Sequence, residues 1–353
     1  MIKKNILGGI YMGVTLNDIA KKVGVSPSTV SRVINGSAPI SEGMKKKIYE
    51  AMQELNYHTN SIARTLATGN SKIIGLVMDT DDEIAYANSF FNRSVYAIEQ
   101  SAQKNGYNLI ITSDNGNTNS PVLDLIYGHK VDGLIVPVSG LSNSLLNVLK
   151  KEETPWVMMG EASEIKEDIC WVDMDNRQGS ANAVRHLFKQ GYKNIVYVAD
   201  NLDTVFTQKR IEGYRKALCE EHTGQKGNII NYEEDLCYLK EIVSHHLSTY
   251  GTDAFICSNN IISYYVLQVL KELDKNVPCD VGLVTFDNYP MAEYMNPPLT
   301  AVDVNTYLLG KKATELLIWK LQNKSCVNEG NLIQTELIIR ESSLKPKIIS
   351  DSQ

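Results

Sequence analysis

The sequence lacks any apolar run of the ~18 residues that a bilayer-crossing helix needs, so no transmembrane segment is expected. Lys3 and Lys4 precede the short apolar stretch Asn5–Met12, but no small-residue cleavage site follows, which argues against a signal peptide. Met12 is a candidate start, which would leave residues 1–11 as a non-native stretch; residues 1–13 are read as a tail. Of the six cysteines none stands in C-x-x-C spacing and none groups with histidine at zinc-ligand intervals, so no metal site is expected and the thiols are read as reduced. Phe255-Ile256-Cys257 shows the usual apolar setting. Also missing are G-x-G-x-x-G, H-E-x-x-H and G-x-S-x-G, which removes the usual anchors for dinucleotide, zincin and α/β-hydrolase chemistry. Gly8 and Gly13 have Walker A glycine spacing, but Val14 stands where the lysine must be. His245 and His246 are adjacent, so their side chains diverge on a helix and read as surface. Neither an enzyme nor a cofactor is indicated. No segment is of low complexity.

What is present is unevenly distributed. The net charge is −6, with Lys+Arg 35 and Asp+Glu 41, a mildly acidic average. Residues 1–70 alone hold nine Lys/Arg against four acids, a net of +5, which leaves −11 for the remainder. A basic head on an acidic body suggests a polyanion-binding module joined to something else. Residues 15–56 read as three short helices. Thr15 starts the first, with Asp18 placed to complete a capping box, and Gly24 ends it. Ser26 caps the second, Pro27 suits its first position, and Val30, Val33 and Ile34 carry its apolar face. Ser41 caps the third, where Ile48, Met52 and Leu55 recur at helical spacing. Ala20, Gly24 and Val30 supply the small contact, the tight turn and the seating residue of a helix-turn-helix. The second helix offers Ser28, Thr29, Ser31 and Arg32, hydrogen-bonding side chains suited to base edges and phosphates in a major groove. Residues 60–69 read as a short helix, capped by Asn60 and ended by Gly69, marginal by itself in water.

From Lys72 the pattern changes to alternating apolar strands and helices. Strands are expected at Ile73–Met78, Asn108–Thr112, Gly133–Val138, Trp156–Met159, Asn194–Ala199, Ala254–Ser258 and Val281–Phe286. Helices are expected at Phe90–Lys104, near Ser144–Lys151, near Ser180–Gln190, and at Lys209–Glu221 and Ile262–Leu273. Continuous apolar strands between helices signal parallel sheets covered on both faces. About 280 residues is large for one such sheet, so two α/β lobes are expected.

The stretches Val14-Thr15-Leu16-Asn17-Asp18-Ile19-Ala20 and Val25 to Gly36 resemble the head of the lactose/galactose repressor family. Glu54-Leu55-Asn56-Tyr57 and Asn60 to Leu66 are similar to that family's third-helix end and hinge helix. Val131-Asp132-Gly133-Leu134-Ile135, Val172-Asp173-Met174-Asp175-Asn176, Arg210-Ile211-Glu212-Gly213-Tyr214, Phe286-Asp287-Asn288, Pro297-Pro298-Leu299-Thr300 and Ile339-Arg340-Glu341-Ser342-Ser343 carry the likeness to about residue 345. It implies an all-α helix-turn-helix DNA-binding head at 14–59, a hinge helix and linker at 60–71, an α/β periplasmic-binding-protein-like core of two parallel-sheet lobes at 72–345, and a tail at 346–353. It further implies a cytoplasmic transcriptional regulator, most naturally a repressor, whose homodimer reads a near-palindromic operator under allosteric control by a small sugar. The DNA-contacting set it implies is Thr15, Leu16, Ser26, Pro27, Ser28, Thr29, Ser31, Arg32 and Asn35, with Asn60, Arg64 and Leu66 from the hinge. Leu66 matches the leucine wedged into the minor groove at the operator centre, where an apolar side chain unstacks a base step. The tail has no heptads, so a coiled-coil tetramer is not expected.

For the effector the resemblance points to Gly160, Met174, Arg210, Asn259 and Asp287. Arg210 offers a five-donor fork for vicinal oxygens, and Asp287 lies beyond the carboxyl end of a strand, where α/β folds bind ligands. The sequence departs from most relatives at Asn260, where aspartate is usual, at Gly191-Tyr192, where Gly-His is usual, and at Gly160, where some sugar-binding members have aspartate. Asn88 to Phe91, Met159-Gly160, Trp171 to Asn176 and Thr207 to Arg210 look most like the maltose-operon-repressor branch, implying an α-glucoside such as maltose. Phe90, Phe91, Trp156 and Trp171 could stack on a sugar or belong to the core. Three rivals remain: a catabolite-control regulator with a phosphoprotein corepressor, a sugar-binding transport protein, and a sugar-modifying enzyme.

Overall fold

The computed structural model describes residues 14–35, 39–57, 69–78, 89–117, 119–161, 169–221, 224, 227–233, 235–323 and 330–346. The tail 1–13 and the hinge residues Asn60, Arg64 and Leu66 lie outside them. The chain divides into two compact units, Met1–Ser71 and Lys72–Gln353.

The first unit holds α1 (Leu16–Val23), α2 (Pro27–Asn35) and α3 (Glu42–Glu54). Thr15 donates its backbone N–H to Asp18 Oδ2 at 2.9 Å, the reach-back half of a capping box. Gly24 closes α1 at φ 75°, a left-handed conformation that glycine adopts without strain. Ser26 Oγ accepts the Thr29 N–H at 3.2 Å and caps α2. Ser41 stands at the N-cap of α3, but its hydroxyl makes no cap bond; its carbonyl takes the Met44 and Lys45 N–H groups instead. Ile19, Val30 and Ile48, one from each helix, are fully buried at the centre of this small core.

In the second unit β1 (Ile73–Val77), β2 (Asn108–Thr112), β3 (Gly133–Pro137), β4 (Trp156–Met159), β5 (Trp171–Met174) and β11 (Gly330–Ile333) form one sheet in the order β11-β5-β4-β3-β1-β2, parallel throughout. A second sheet, ordered β12-β10-β9-β8-β6-β7, is built from β6 (Ile195–Ala199), β7 (Asn228–Asn231), β8 (Ala254–Cys257), β9 (Gly282–Phe286), β10 (Thr300–Asp303) and β12 (Glu336–Ile338). Its last strand runs antiparallel to β10, which departs from the all-parallel expectation. β12 follows β11 after two residues, so the chain reaches the other sheet without a crossover helix.

Helices cover both sheets. In the first lobe they are α4 (Ser89–Lys104), α5 (Pro121–Tyr127), α6 (Asn143–Lys151) and α12 (Thr306–Asn323), the last packed on α4, β3, β4 and β5. In the second they are α7 (Asn176–Lys189), α8 (Val205–Glu220), α9 (Leu236–Thr249), α10 (Asn260–Glu272) and α11 (Pro290–Tyr294). Two helices begin earlier than their apolar periodicity predicts. Asp175 accepts the Gln178 N–H at 2.9 Å and starts α7 at Asn176. Thr204 accepts the Thr207 N–H at 3.4 Å and starts α8 at Val205. These caps carry the helices past their apolar residues to the polar ones that face the cavity.

Two sequence expectations, for His246 and for the exposed face of α2, are corrected in detail, and two positions left open by the sequence are placed. Trp156 is buried in the first lobe's core, and Trp171 packs against the same cluster rather than on a ligand. His246 is buried, with its ring 5.1 Å from that of Tyr250, so only His245 of the pair is exposed. On α2, Ser28 and Arg32 are exposed, but Thr29 and Ser31 are half-buried. Where relatives have Gly-His, Tyr192 is fully buried and donates to the Pro278 carbonyl at 2.7 Å. Among the described cysteines Cys170, Cys219, Cys237, Cys257 and Cys279 are free thiols.

Candidate functional site

The carboxyl ends of both sheets of the second unit open on one cavity of about 320 Å³, within the range of small-molecule sites. The first lobe contributes Phe91 from α4, Val138 beyond β3, Gly160 and Glu161 beyond β4, and Asp173 and Met174 from β5. The second contributes Asn176 from α7, Asp200 beyond β6, Phe206 and Arg210 from α8, Ser258 and Asn259 beyond β8, and Asp287 beyond β9. Chain ends of parallel strands are where such folds place ligands, because the loops there are free to vary while the sheet stays fixed.

All five residues named for the effector reach this cavity. Arg210 is buried, 5% exposed. Its Nε–H donates to Asn176 Oδ1 at 2.9 Å and its Nη1 to the Ser258 carbonyl at 2.9 Å, and the guanidinium lies 4.0 Å from the centre of the Phe286 ring. Its Nη2 stands 4.0 Å from Asp287 Oδ1. Two of its five N–H groups are therefore spent inside the protein, so fewer remain for a ligand than the sequence alone suggests. Gly213 explains how Arg210 gets there. A Cβ at Gly213 would meet the Arg177 carbonyl oxygen at 2.1 Å, so only glycine lets α8 press against the start of α7 and bring Arg210 to Asn176.

Asp287 sits at φ 71°, in the left-handed region that aspartate tolerates better than most residues, just after its strand ends. Its Oδ1 is buried and has no hydrogen-bond partner. A buried acceptor left unmet is costly, and this one faces a cavity. Asn259 does two jobs: its Oδ1 accepts the Ile262 N–H at 2.9 Å as the cap of α10, and its Nδ2 donates to Asp200 Oδ2 at 2.7 Å. Gly160 lies at φ 117°, and a Cβ there would meet Val138 Cγ1 at 2.7 Å. The aspartate that some relatives place here does not fit, and the neighbouring Glu161 is the acid that lines the cavity. Asn260, where aspartate is usual, is buried, with its Oδ1 3.3 Å from the Thr285 hydroxyl.

Glu161 bridges the cleft. It accepts from Arg177 of α7 through both carboxylate oxygens, at 2.7 and 3.2 Å, and lies 3.8 Å from Lys209 of α8. The pair to Glu161 holds the Arg177 guanidinium firmly charged. This clasp joins the end of β4 in one lobe to two helices of the other.

Sequence reasoning missed Asp173, Asp200, Glu161, Asn176 and Phe206. Asp173 and Asp200 lie at strand carboxyl ends, the same signal that singles out Asp287. Of the aromatics considered for stacking, Phe91 lines the cavity, and Phe90 lies in α4. Burial pushes the carboxyls of both Asp173 and Asp287 up to about 6, with Arg210 acting the other way. Each group thus keeps its proton in the folded chain at pH values where the unfolded chain has released it. The core should gain stability as pH falls from about 7 to 5, by about 1.3 kcal/mol per group, opposite to ordinary ion-paired carboxylates. Urea melts of the Asp173→Asn and Asp287→Asn variants against wild type check this: both should flatten the pH profile.

Among the described residues no helix is long and apolar enough to cross a membrane, and no cluster of His, Cys, Asp or Glu could hold a metal ion. Residues 15–60 match the bacterial regulatory proteins of the lacI family, and residues 184–343 match the periplasmic binding protein-like domain. The transcriptional regulator MalR of Staphylococcus xylosus is 31% identical over 336 residues, which cover 94% of this chain and 98% of the relative. The chain belongs to the lacI family of bacterial regulatory proteins. It is a DNA-binding transcriptional regulator with a helix-turn-helix head and a two-lobed α/β core, near the MalR branch. A solved structure of the transcriptional regulator CelR–cellobiose complex matches 93% of this chain and 99% of its own, at 25% identity and TM-score 0.67. The lac repressor dimer bound to operator and an anti-inducer shares the fold, at TM-score 0.77 and 23% identity over 94% of this chain and 99% of its own.

Proposed function

We propose that the chain is a cytoplasmic repressor that binds a near-palindromic operator as a homodimer, and that a small sugar in the interlobe cavity changes its operator affinity. The observation that carries this reading is the cavity itself. It is lined from both lobes, holds a buried arginine, and leaves one buried carboxylate oxygen without a donor. A sugar hydroxyl both donates and accepts, so it meets Asp287 and the remaining Arg210 donors together. Gly160, Met174 and Asn259 complete the contact set, and Phe91 and Phe206 offer apolar faces to the ring. The resemblance to the maltose-operon-repressor branch makes an α-glucoside such as maltose the first ligand to test. A ligand that draws on both lobes favours one lobe angle over another, and the Glu161–Arg177 clasp gives that equilibrium an element to make or break.

In the head, Pro27, Ser28 and Arg32 at the start and middle of α2 are assigned to base readout. Thr15, Leu16, Ser26, Thr29, Ser31 and Asn35 are assigned to positioning on the backbone. Asn60, Arg64 and Leu66 of the hinge belong to the same interface. Dimerisation is supported by an exposed apolar face on α10 and α11, where Ile261, Tyr264, Met291 and Tyr294 are 57%, 43%, 47% and 81% exposed.

The test is a gel shift on operators selected from random duplexes, followed by titration with a sugar panel. Arg32→Ala should relax preference at one base pair per half-site, costing about 1–3 kcal/mol for the bidentate hydrogen bond to the base that it removes. Leu66→Ala should weaken operator binding and DNA bending while leaving random-duplex affinity nearly unchanged. Equal weakening on operator and random DNA in both variants would contradict the assignment.

A further inference from the structure

The charge inside the cavity is lopsided. Glu161, Asp173, Asp200 and Asp287 line it, against the guanidinium of Arg210. Two of the four carboxylates are matched: Glu161 by Arg177 and Lys209, and Asp287 by Arg210 at 4.0 Å. The other two are held by neutral donors. Asp173 accepts the Met174 N–H at 2.7 Å and the Glu161 N–H at 3.0 Å. Asp200 accepts from the Ser258 hydroxyl at 3.1 Å and from Asn259 Nδ2 at 2.7 Å. No cation among the described residues forms an ion pair with either.

The hydrogen-bond balance leans the same way. Among the described residues that line the cavity, the buried side-chain atom without a partner is an acceptor, Oδ1 of Asp287. A ligand must bring a donor to it. Hydroxyl groups do so; a phosphate monoester dianion or a carboxylate brings acceptors to a site that already has a surplus of them. Arg210 has three further N–H groups to offer a ligand, but its positive charge already faces Asp287, so it does not balance a further anion.

We propose that this cavity selects an uncharged polyhydroxylated ligand and rejects the anionic forms of the same ligand, phosphate monoesters and uronic acids, through the carboxylates of Asp173 and Asp200, which neutral donors hold and no ion pair balances. The proposal rests on the sugar-effector reading and narrows it by charge. Phosphorylated sugars are then excluded as direct effectors, whatever else responds to them.

The experiment is calorimetric titration of the full chain at pH 7.5, where both raised carboxyls are ionised, with compounds in neutral and anionic pairs. The pairs are maltose and its 6′-phosphate, glucose and glucose 6-phosphate, and methyl glucoside and its glucuronide counterpart, with adenine as a neutral compound without hydroxyl groups. The neutral member of each binding pair should bind at least about a hundredfold more tightly, as expected for like charges brought together in a partly desolvated site. Asp200 is exposed at the cavity, so Asp200→Asn should fold as wild type does, checked by its unliganded melting temperature. That variant should narrow the ratio by about tenfold, because it removes one charge and keeps a hydrogen-bonding side chain. An anionic member binding as tightly as its neutral parent overturns the proposal, and so does an unchanged ratio in Asp200→Asn. Tight binding of an anionic sugar beside its neutral parent would overturn the charge rule and leave the sugar reading standing, which keeps the two separable; tight binding of neutral adenine with every sugar silent would overturn both.

Discussion

Arg210→Ala is expected to weaken effector binding by about a hundredfold or more, since charged hydrogen bonds are each worth about 1.5–3 kcal/mol net and the variant removes more than one. The same change should lower the melting temperature of the unliganded chain. Asp287 would keep its buried carboxylate with no facing cation, and removing one partner of a buried pair costs about 3–5 kcal/mol. Asn176 Oδ1 and the Ser258 carbonyl would each lose a donor as well. Arg210→Lys separates the two effects. It keeps the charge beside Asp287 but loses the planar fork, so stability should recover more than effector affinity does. Calorimetry gives the affinity and thermal denaturation the stability. A lysine variant that binds the effector as wild type would show that the fork is not what the ligand uses.

The second large effect concerns the head. A chain beginning at Lys72 is expected to lose operator binding entirely while still binding the effector. The motive is the division of charge, +5 in residues 1–70 on a body of −11. In the full chain log K for operator should fall linearly with log salt, at about −0.9 per phosphate neutralised. Fluorescence anisotropy on a labelled operator at several salt concentrations measures both. Retained operator affinity in the truncated chain would place the DNA-binding surface in the acidic body and contradict the assignment of α2.

The head was legible because its rules are local. A capping residue, a glycine where φ must be positive and an apolar residue at fixed spacing are each set within a few residues, as Thr15, Gly24 and Val30 show. Arg210, Asn259 and Asp287 were legible in part by resemblance and in part because two of them follow strands. The rest of the cavity was not, for identifiable reasons. Asp173 and Asp200 obey the same strand-end rule as Asp287, but a lone aspartate beside a strand reads equally well as a turn residue or a cap. Asp175 and Asn259 do serve as caps. Trp156 and Trp171 show the converse. Composition says that an aromatic can stack on a sugar, but not which face of its strand points at the cavity, and both point into packing. Glu161 was hidden by its neighbour. At Gly160, where some relatives have an acid, the backbone conformation and Val138 leave no room for a side chain, and the acid lies one residue later, committed to Arg177 and Lys209.

Binding of a sugar to the core should also depend on pH. Hydroxyls donating to Asp173 and Asp287 favour the ionised carboxyls, so affinity should hold steady above pH 7 and fall as pH drops through about 6. Calorimetry from pH 5 to 8 would show the fall; an affinity that rises on acidification would mean that the ligand binds the protonated carboxyls.

The most direct measurement is operator binding by the full chain titrated with a sugar that thermal shift has shown to bind the core. A ligand at about 100 times its Kd adds about 2.7 kcal/mol of stability, so such a sugar is readily found if the cavity takes one. Operator affinity is predicted to change at least about tenfold across that titration, equivalent to about 1.4 kcal/mol of coupling, and to stay constant in Arg210→Lys over the same concentrations. A sugar that binds the core tightly and leaves wild-type operator affinity unchanged would contradict effector control through this cavity.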